Sequence, residues 1–351
     1  MTNDPNEGAT SAVTVDSQVA RIFEWRRGFN AMHLIDLGIR LGLFKAFAEA
    51  PGTSAAAIAQ RLGLHAPYVE VWCTTAYGFG LLDADEARLF RLAPYIGEIL
   101  ANPTHPRYLG GYVQLGTQFA TDDYRLAVDA FRTGETAPFQ GRSHEFAQVI
   151  AQAIAGVNLM VARKILPGLP GVAERLNAGG ALLEAGCGTG VLQLMLAKAF
   201  PGAQCTGVDI DPTGVAAARE AVRRAGLTDR VNIVEGGVGA AAAAAFDVVL
   251  MVEVLHEISP QIRPDVVREC ADALKPGGWL VIVDETYPST LAETRQPEFL
   301  FPLQTGLEEL VWGNVVPTRE EQERLLRGAG LQGPIERSLL GVGFTLLTTR
   351  K

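Results

Sequence analysis

Cysteine is scarce in this chain. The four present (Cys73, Cys187, Cys205 and Cys270) show no Cys-x-x-Cys or Cys/His ligand spacing among 351 residues. That excludes a disulfide scaffold and a structural metal site, and it predicts reduced thiols in a cytoplasmic protein. Positive charge is also in deficit, with 30 Lys and Arg against 39 Asp and Glu, a net charge of −9. An acidic surface repels nucleic acid and anionic membranes, local basic patches aside. Long apolar runs are missing as well. The stretch from 240 to 252 contains Asp247 and reads as a loop and a strand, not a membrane span. Residues 1–14 begin Met1-Thr-Asn-Asp-Pro-Asn-Glu-Gly8, with no basic segment ahead of an apolar core, so a free tail is expected there and not a signal peptide. Hydrophobic residues make up 48% of the chain, ample for sizeable cores, and the length predicts two domains.

The most informative run is Ala181-Leu-Leu-Glu-Ala-Gly-Cys-Gly-Thr-Gly190. A short apolar stretch leads into three glycines, and a helical pattern from Val191 to Phe200 follows. Strand, glycine turn and helix open a nucleotide-binding α/β unit, where glycine lets the backbone come close to a ligand. The dinucleotide fingerprint G-x-G-x-x-G is absent, because Val191 stands where its last glycine is required. No Lys-Ser or Lys-Thr pair follows, which excludes a P-loop. A second strand, Ala203 to Asp211, ends in carboxylates, with Asp209 placed 19 residues beyond Gly190. An acid there can accept hydrogen bonds from both ribose hydroxyls. Asp211, just before Pro212, better suits a helix N-cap.

The Glu184-x-Gly186-x-Gly188-x-Gly190 pattern resembles motif I of the class I S-adenosylmethionine-dependent methyltransferases. Three further runs are similar to that family: Phe246-Asp-Val-Val-Leu-Met-Val252, the turn Leu274-Lys-Pro-Gly-Gly278 with its following strand, and the closing Gly341 to Thr349 strand. The resemblance covers residues 170–351 and implies a Rossmann-like, seven-stranded, mostly parallel sheet. It implies S-adenosylmethionine as cofactor, with no metal, held by Glu184, Gly186, Cys187, Gly188, Gly190, Asp209, Ile210, Gly237, Val238 and Glu253. Cys187 is read there as a small loop residue, not a nucleophile. One departure stands out. The third strand of this family often ends in Gly-Asp, whose acid meets adenine, whereas here the run is Glu235-Gly-Gly-Val238. A backbone contact, Glu235 or a looser adenine site are the alternatives.

Residues 15–103 read differently. Phe29, Met32, Ile35, Ile39, Leu43 and Phe47 fall at helical spacing between 17 and 50. Pro51-Gly-Thr-Ser54 breaks the run, two short helices follow (55–65 and 67–77), and 78–92 reads as a hairpin. The order resembles the mainly α winged-helix dimerisation domain in front of many small-molecule O-methyltransferases, which implies a homodimer. Its second short helix contains Glu70 and no Lys or Arg, so it is ill-suited to a DNA groove. Trp72 and Tyr68 are read there as packing or dimer contacts. Residues 104–169 are expected to bridge the halves as helices and to roof an interdomain pocket with Tyr108, Tyr112, Phe119, Tyr124, Phe139 and Phe146.

Methylation of a hydroxyl needs alignment and a base. His256, just past the fourth strand, occupies the carboxyl edge where open α/β sheets bind ligands. The resemblance to plant-type O-methyltransferases makes His256 the general base, paired with Glu257 and supported by Glu285; it puts Val316 where a third acid is expected. Trp312 and Asn314 are read as far-side pocket residues. Substrate contacts are thus expected from Tyr108, Tyr112, Phe119, Tyr124, Trp312 and Asn314. The alternatives are methylation of a thioether sulfur, nitrogen or carbon without a protein base, or a cofactor-binding regulator with little turnover.

Overall fold

The structure, a computed structural model, describes residues 13–137, 141–341 and 343–351. The expected tail, apart from its last residues, and Phe139 lie outside the described residues. The chain forms two compact units that divide between Val113 and Gln114.

The first unit opens with α1 (Val15–Arg40), whose N-terminus carries a capping box of Thr14 and Ser17. The expected long apolar helix breaks at Gly42, which takes φ +72° and starts α2 (Leu43–Glu49). Ser54 caps α3 (Ala55–Leu62), and α4 (Ala66–Gly78) follows with proline in its first turn. The antiparallel hairpin β1 (Leu82–Ala84) and β2 (Phe90–Leu92) completes the winged-helix-like order. Phe44, Phe47, Ile58, Val69, Trp72 and Phe90 form its core. Trp72 is a packing residue whose Nε1 donates to the Leu34 carbonyl at 2.9 Å, whereas Tyr68 is exposed. Glu70 pairs with Arg88. Helix α5 (Gly110–Gln114) spans the division between the units.

The second unit begins with helices: α6 (Thr121–Thr133), α7 (His144–Ala153), α8 (Ala155–Met160), α9 (Leu166–Gly168) and α10 (Val172–Asn177). The strands are β3 (Ala181–Ala185), β4 (Gln204–Asp209), β5 (Val231–Glu235), β6 (Phe246–Val252), β7 (Leu274–Glu285), β8 (Glu336–Leu340) and β9 (Phe344–Arg350). The remaining helices are α11 (Val191–Ala199), α12 (Pro212–Arg224), α13 (Arg263–Ala273), α14 (Leu300–Trp312) and α15 (Arg319–Gly328).

Seven strands pair in the order β5-β4-β3-β6-β7-β9-β8. The first five run parallel, and β9 and β8 close the edge antiparallel. Central strands are apolar on both faces because both are covered. Leu182, Val248, Leu250 and Val281 pack on one side with Val161, Leu166, Leu192 and Val215. Leu183, Val249, Met251 and Leu280 pack on the other with Val267, Cys270 and Leu326. Residues 157–166 of the expected bridge therefore belong to the core of the sheet unit. All four cysteines are buried and free. Burial pushes Cys73, Cys205 and Cys270 up to about 12. Among the described residues no single helix is long and apolar enough to cross a membrane, and no group of three or more His, Cys, Asp or Glu is placed to hold a metal ion.

Candidate active site

The glycine turn after β3 takes a conformation that L side chains resist. Gly186, Gly188 and Gly190 have φ of 72°, 49° and 77°. A Cβ on Gly186 would lie 2.4 Å from Val254 Cγ2, and one on Gly190 would lie 2.9 Å from Ala218 Cβ. At Gly188 a Cβ would meet open space. Asp209, at the end of β4, fixes this turn: its Oδ2 accepts from the Gly188 N–H at 2.7 Å, and its Oδ1 from the Asp211 N–H at 2.8 Å. Asp211 caps α12 through the N–H groups of Thr213 and Gly214. Two acids separated by one residue thus do different jobs, one bracing the loop and the other starting a helix.

A cavity of about 410 Å³ opens here, at the carboxyl ends of β3, β4, β5 and β6. Glu184, Gly186, Cys187, Gly188, Asp209, Ile210, Gly237, Val238, Glu253 and Glu257 all line it. Gly190 is set back and starts α11 as its N-cap. Glu235 is exposed and absent from the lining, while Gly236, Gly237 and Val238 line the cavity. Phe146, Ala147 and Ile150 of α7, Ile154 at the junction of α7 and α8, and Asn158 of α8 also line it.

The cavity is rich in buried acid. Gln193 Nε2 donates to Glu184 at 2.8 Å, yet burial pushes the Glu184 carboxyl up to about 8. Glu257 is pushed up to about 8 by the same cause. Glu253 sits at φ +56°, strained for a residue with a side chain, and its buried Oε1 has no hydrogen-bond partner. Burial, then the Asp284 charge, holds its carboxyl well above the usual range. Burial of the Cys187 thiol also raises its pKa, which leaves it a poor nucleophile.

His256 lies just behind this lining and is itself buried. Its Nδ1 is 2.8 Å from Asp284 Oδ1, and its Nε2 is 3.7 Å from Glu309 Oε2. Asp284 also accepts from the Leu255 and Glu285 N–H groups at 2.7 and 2.8 Å. Burial alone would depress the imidazole, but the charges of Asp284, Glu309 and Glu253 outweigh it and hold the pKa well above 6.5. Glu285 is buried too, bonded by Thr305, and pushed up to about 7 by burial. Fully buried Arg263 clamps the loop from behind, donating to the carbonyls of Ile258 and Val315 at 2.8 and 2.7 Å and to Glu321 at 2.6 Å.

The third acid is a correction to the sequence reading. Val316 is a buried apolar residue, and Glu309 on α14 faces the imidazole. Asn314 serves that acid, with Nδ2 donating to Glu309 at 2.8 Å. Trp312 donates from Nε1 to buried Asp123 at 2.7 Å. Phe119 packs edge-on against Phe146, and the Tyr124 hydroxyl donates to Glu308 at 3.4 Å. None of Phe119, Tyr124, Trp312 and Asn314 lines the cavity, whereas Phe146 does. Tyr108 and Tyr112 belong to the first unit. Sequence reasoning passed over Asp284 and Glu309. Asp284 carried a signal, since it precedes Glu285 at the end of β7; Glu309 carried none, because its meeting with His256 is purely tertiary.

Residues 182–278 match the family model for a methyltransferase domain. The chain is 28% identical over 254 residues to a 3-hydroxy-5-methyl-1-naphthoate 3-O-methyltransferase of Streptomyces sahachiroi, covering 70% of each. It is 27% identical to 3-O-methylredipecamine 2-O-methyltransferase of Carapichea ipecacuanha, over 64% of this chain and 61% of that one. The human N-acetylserotonin methyltransferase structure, solved with S-adenosylmethionine, superposes with a TM-score of 0.77 at 20% identity, covering 97% of this chain and 99% of that one. Taken with the glycine turn, its bracing acid and the acidic cavity at the strand ends, these likenesses identify the chain as a class I S-adenosylmethionine-dependent methyltransferase related to small-molecule O-methyltransferases.

Proposed function

We propose that this enzyme methylates a hydroxyl group of a small acceptor, with His256 as general base. The His256–Asp284 bond of 2.8 Å carries the assignment. A carboxylate only accepts, so it holds the ring proton on Nδ1 and leaves the Nε2 lone pair for the acceptor's proton. Glu309, 3.7 Å from Nε2, occupies the side from which a hydroxyl must come. The acceptor displaces this carboxylate as it binds, and loss of that charge brings the imidazole pKa down toward the working range.

The cavity fits the cofactor. The unpartnered Glu253 oxygen and the surrounding acids favour a cation, and the sulfonium of S-adenosylmethionine is one. Bound there, the cofactor would supply an activated methyl group. The Gly186–Gly190 backbone would face its amino-acid portion, Asp209 its ribose hydroxyls, and the Gly237–Val238 backbone its adenine. Each Asp209 oxygen accepts one N–H already and keeps a lone pair for a hydroxyl.

The test is a mass-spectrometric screen of hydroxylated metabolites with methyl-labelled cofactor, run with the wild type and His256→Ala. Labelled ether that disappears in the variant supports the reading. One observation favours a second reading: His256 is not among the cavity-lining residues. Transfer to a thioether, which has no proton to lose, would leave the variant active. A regulator would label nothing in either protein.

We also propose a homodimer formed through α1. Val15, Val19, Ile22 and Phe29 form a helical stripe with Phe23 beside it, all between 48% and 79% exposed. The double substitution Ile22→Asp, Phe23→Asp is expected to give monomers in sedimentation velocity runs.

A further inference from the structure

Arg142 is the only Lys or Arg among the described residues that line the cavity; the acidic side chains there are Glu184, Asp209, Asp211, Glu253 and Glu257. It is held in one orientation. Nη1 and Nη2 donate to the two oxygens of Asp123, each at 2.8 Å. Asp123 is itself buried and receives the Trp312 indole N–H. The guanidinium lies 4.1 Å over the Phe146 ring, which fixes its plane. A guanidinium has five N–H donors, and Asp123 takes two through the terminal edge. The side edge, made of Nε and one Nη, has no hydrogen-bond partner among the described residues. A planar pair of donors at that spacing matches a carboxylate.

The geometry points to a carboxylate on the methyl acceptor, which we infer is recognised by the side edge of Arg142. This deepens the proposed methylation and rests on it for the word acceptor. Placement favours the acceptor over the cofactor's own carboxylate as the source. Arg142 stands with Phe146, Ala147, Ile150 and Ile154, an apolar wall suited to the body of an organic acceptor. The groups suited to the cofactor lie at the strand ends. An anion is repelled by the acids elsewhere in the cavity, so a single cation both admits it and sets its orientation.

The test measures binding without turnover. The enzyme is saturated with S-adenosylhomocysteine and titrated calorimetrically with hydroxybenzoates, hydroxynaphthoates and their methyl esters. Wild type is expected to bind at least one acid about tenfold or more tighter than its ester, as a bidentate ionic hydrogen bond implies. The double substitution Asp123→Asn, Arg142→Gln removes both charges while keeping hydrogen-bonding capacity, so no buried acid is stranded. It should erase that preference and leave S-adenosylhomocysteine affinity within about threefold, since no cofactor contact is removed. Arg142→Lys should retain part of the preference. If no acid outbinds its ester in the wild type, the proposal falls. It also falls if the double variant keeps the preference, or loses S-adenosylhomocysteine affinity instead, which would assign Arg142 to the cofactor's carboxylate. Acid preference without any labelled ether would leave this inference standing and sink hydroxyl methylation.

Discussion

The two ends of the site are built from different material. The strand-end side is mostly backbone from contiguous runs: Gly186–Gly190, Asp209–Asp211 and Gly236–Val238. The side around His256 and Arg142 is made of side chains brought from far along the chain. Asp123 meets Trp312 across 189 residues, and His256 meets Asp284 across 28. Backbone shape follows from local sequence, because a left-handed turn demands glycine wherever it occurs. A side-chain cluster follows only from the whole packing of α6, α7, α14 and β7.

The side-chain end is most sensitive at His256. His256→Ala should lower turnover by about 10²–10⁴-fold at neutral pH, the usual worth of a positioned base. Affinity for S-adenosylhomocysteine, measured by calorimetry, should stay near wild type because the imidazole does not line the cavity. If turnover persists, the side-chain end has no part in proton transfer. Gly186→Val should do the opposite. Its φ of 72° is strained for a side chain, and its Cβ would strike Val254. Backbone strain of this kind costs about 1–3 kcal/mol, so a loss of up to ~100-fold in cofactor affinity is expected. A variant that binds cofactor normally would mean the turn does not shape the cradle.

A milder change sharpens the picture of the side-chain end. Asp284→Asn removes the carboxylate charge nearest the His256 ring, one of those that raise its pKa. A base works only when deprotonated, so the rate rises with pH as His256 loses its proton. Taking away the charge lowers that pKa, and the rising limb of kcat/KM against pH should move toward lower pH. An unmoved limb would show that the titration belongs to another group, with Glu257 the first to examine.

Sequence reasoning reached the parallel sheet, its antiparallel closing strand and the glycine turn, and it put Asp209 at a strand end and His256 just past the fourth strand, because each position is announced by neighbours in the chain. Strand β8 escaped it: Glu336–Leu340 is a largely exposed edge strand, with neither the apolar run nor the flanking turn that marks the inner strands. The split of the first long helix was missed because apolar spacing continues across Gly42 while the backbone does not. Glu309 was missed for a deeper reason. Its neighbours on α14 are Glu308 and Leu310, and nothing local separates the acid facing His256 from the one bonded by Tyr124. Of the aromatic residues between 104 and 146, Phe146 lines the cavity and Phe119 packs against it.

The smallest effects lie within the strand-end side itself, where Asp209 and Asp211 occupy one turn. Asp209→Ala removes a charged acceptor that also braces Gly188, and should weaken S-adenosylhomocysteine binding by about 1–3 kcal/mol. Asp211→Ala removes only the cap on Thr213 and Gly214 and should cost ~1 kcal/mol of stability, seen as a fall of a few degrees or less in Tm. Its cofactor affinity should stay near wild type, although Asp211 lines the same cavity. The pair is therefore a local control, since the two substitutions delete the same chemical group at almost the same place. Equal losses of affinity would mean that the cavity responds to total negative charge. Separate losses would mean that it responds to the one carboxylate aligned with the glycine turn.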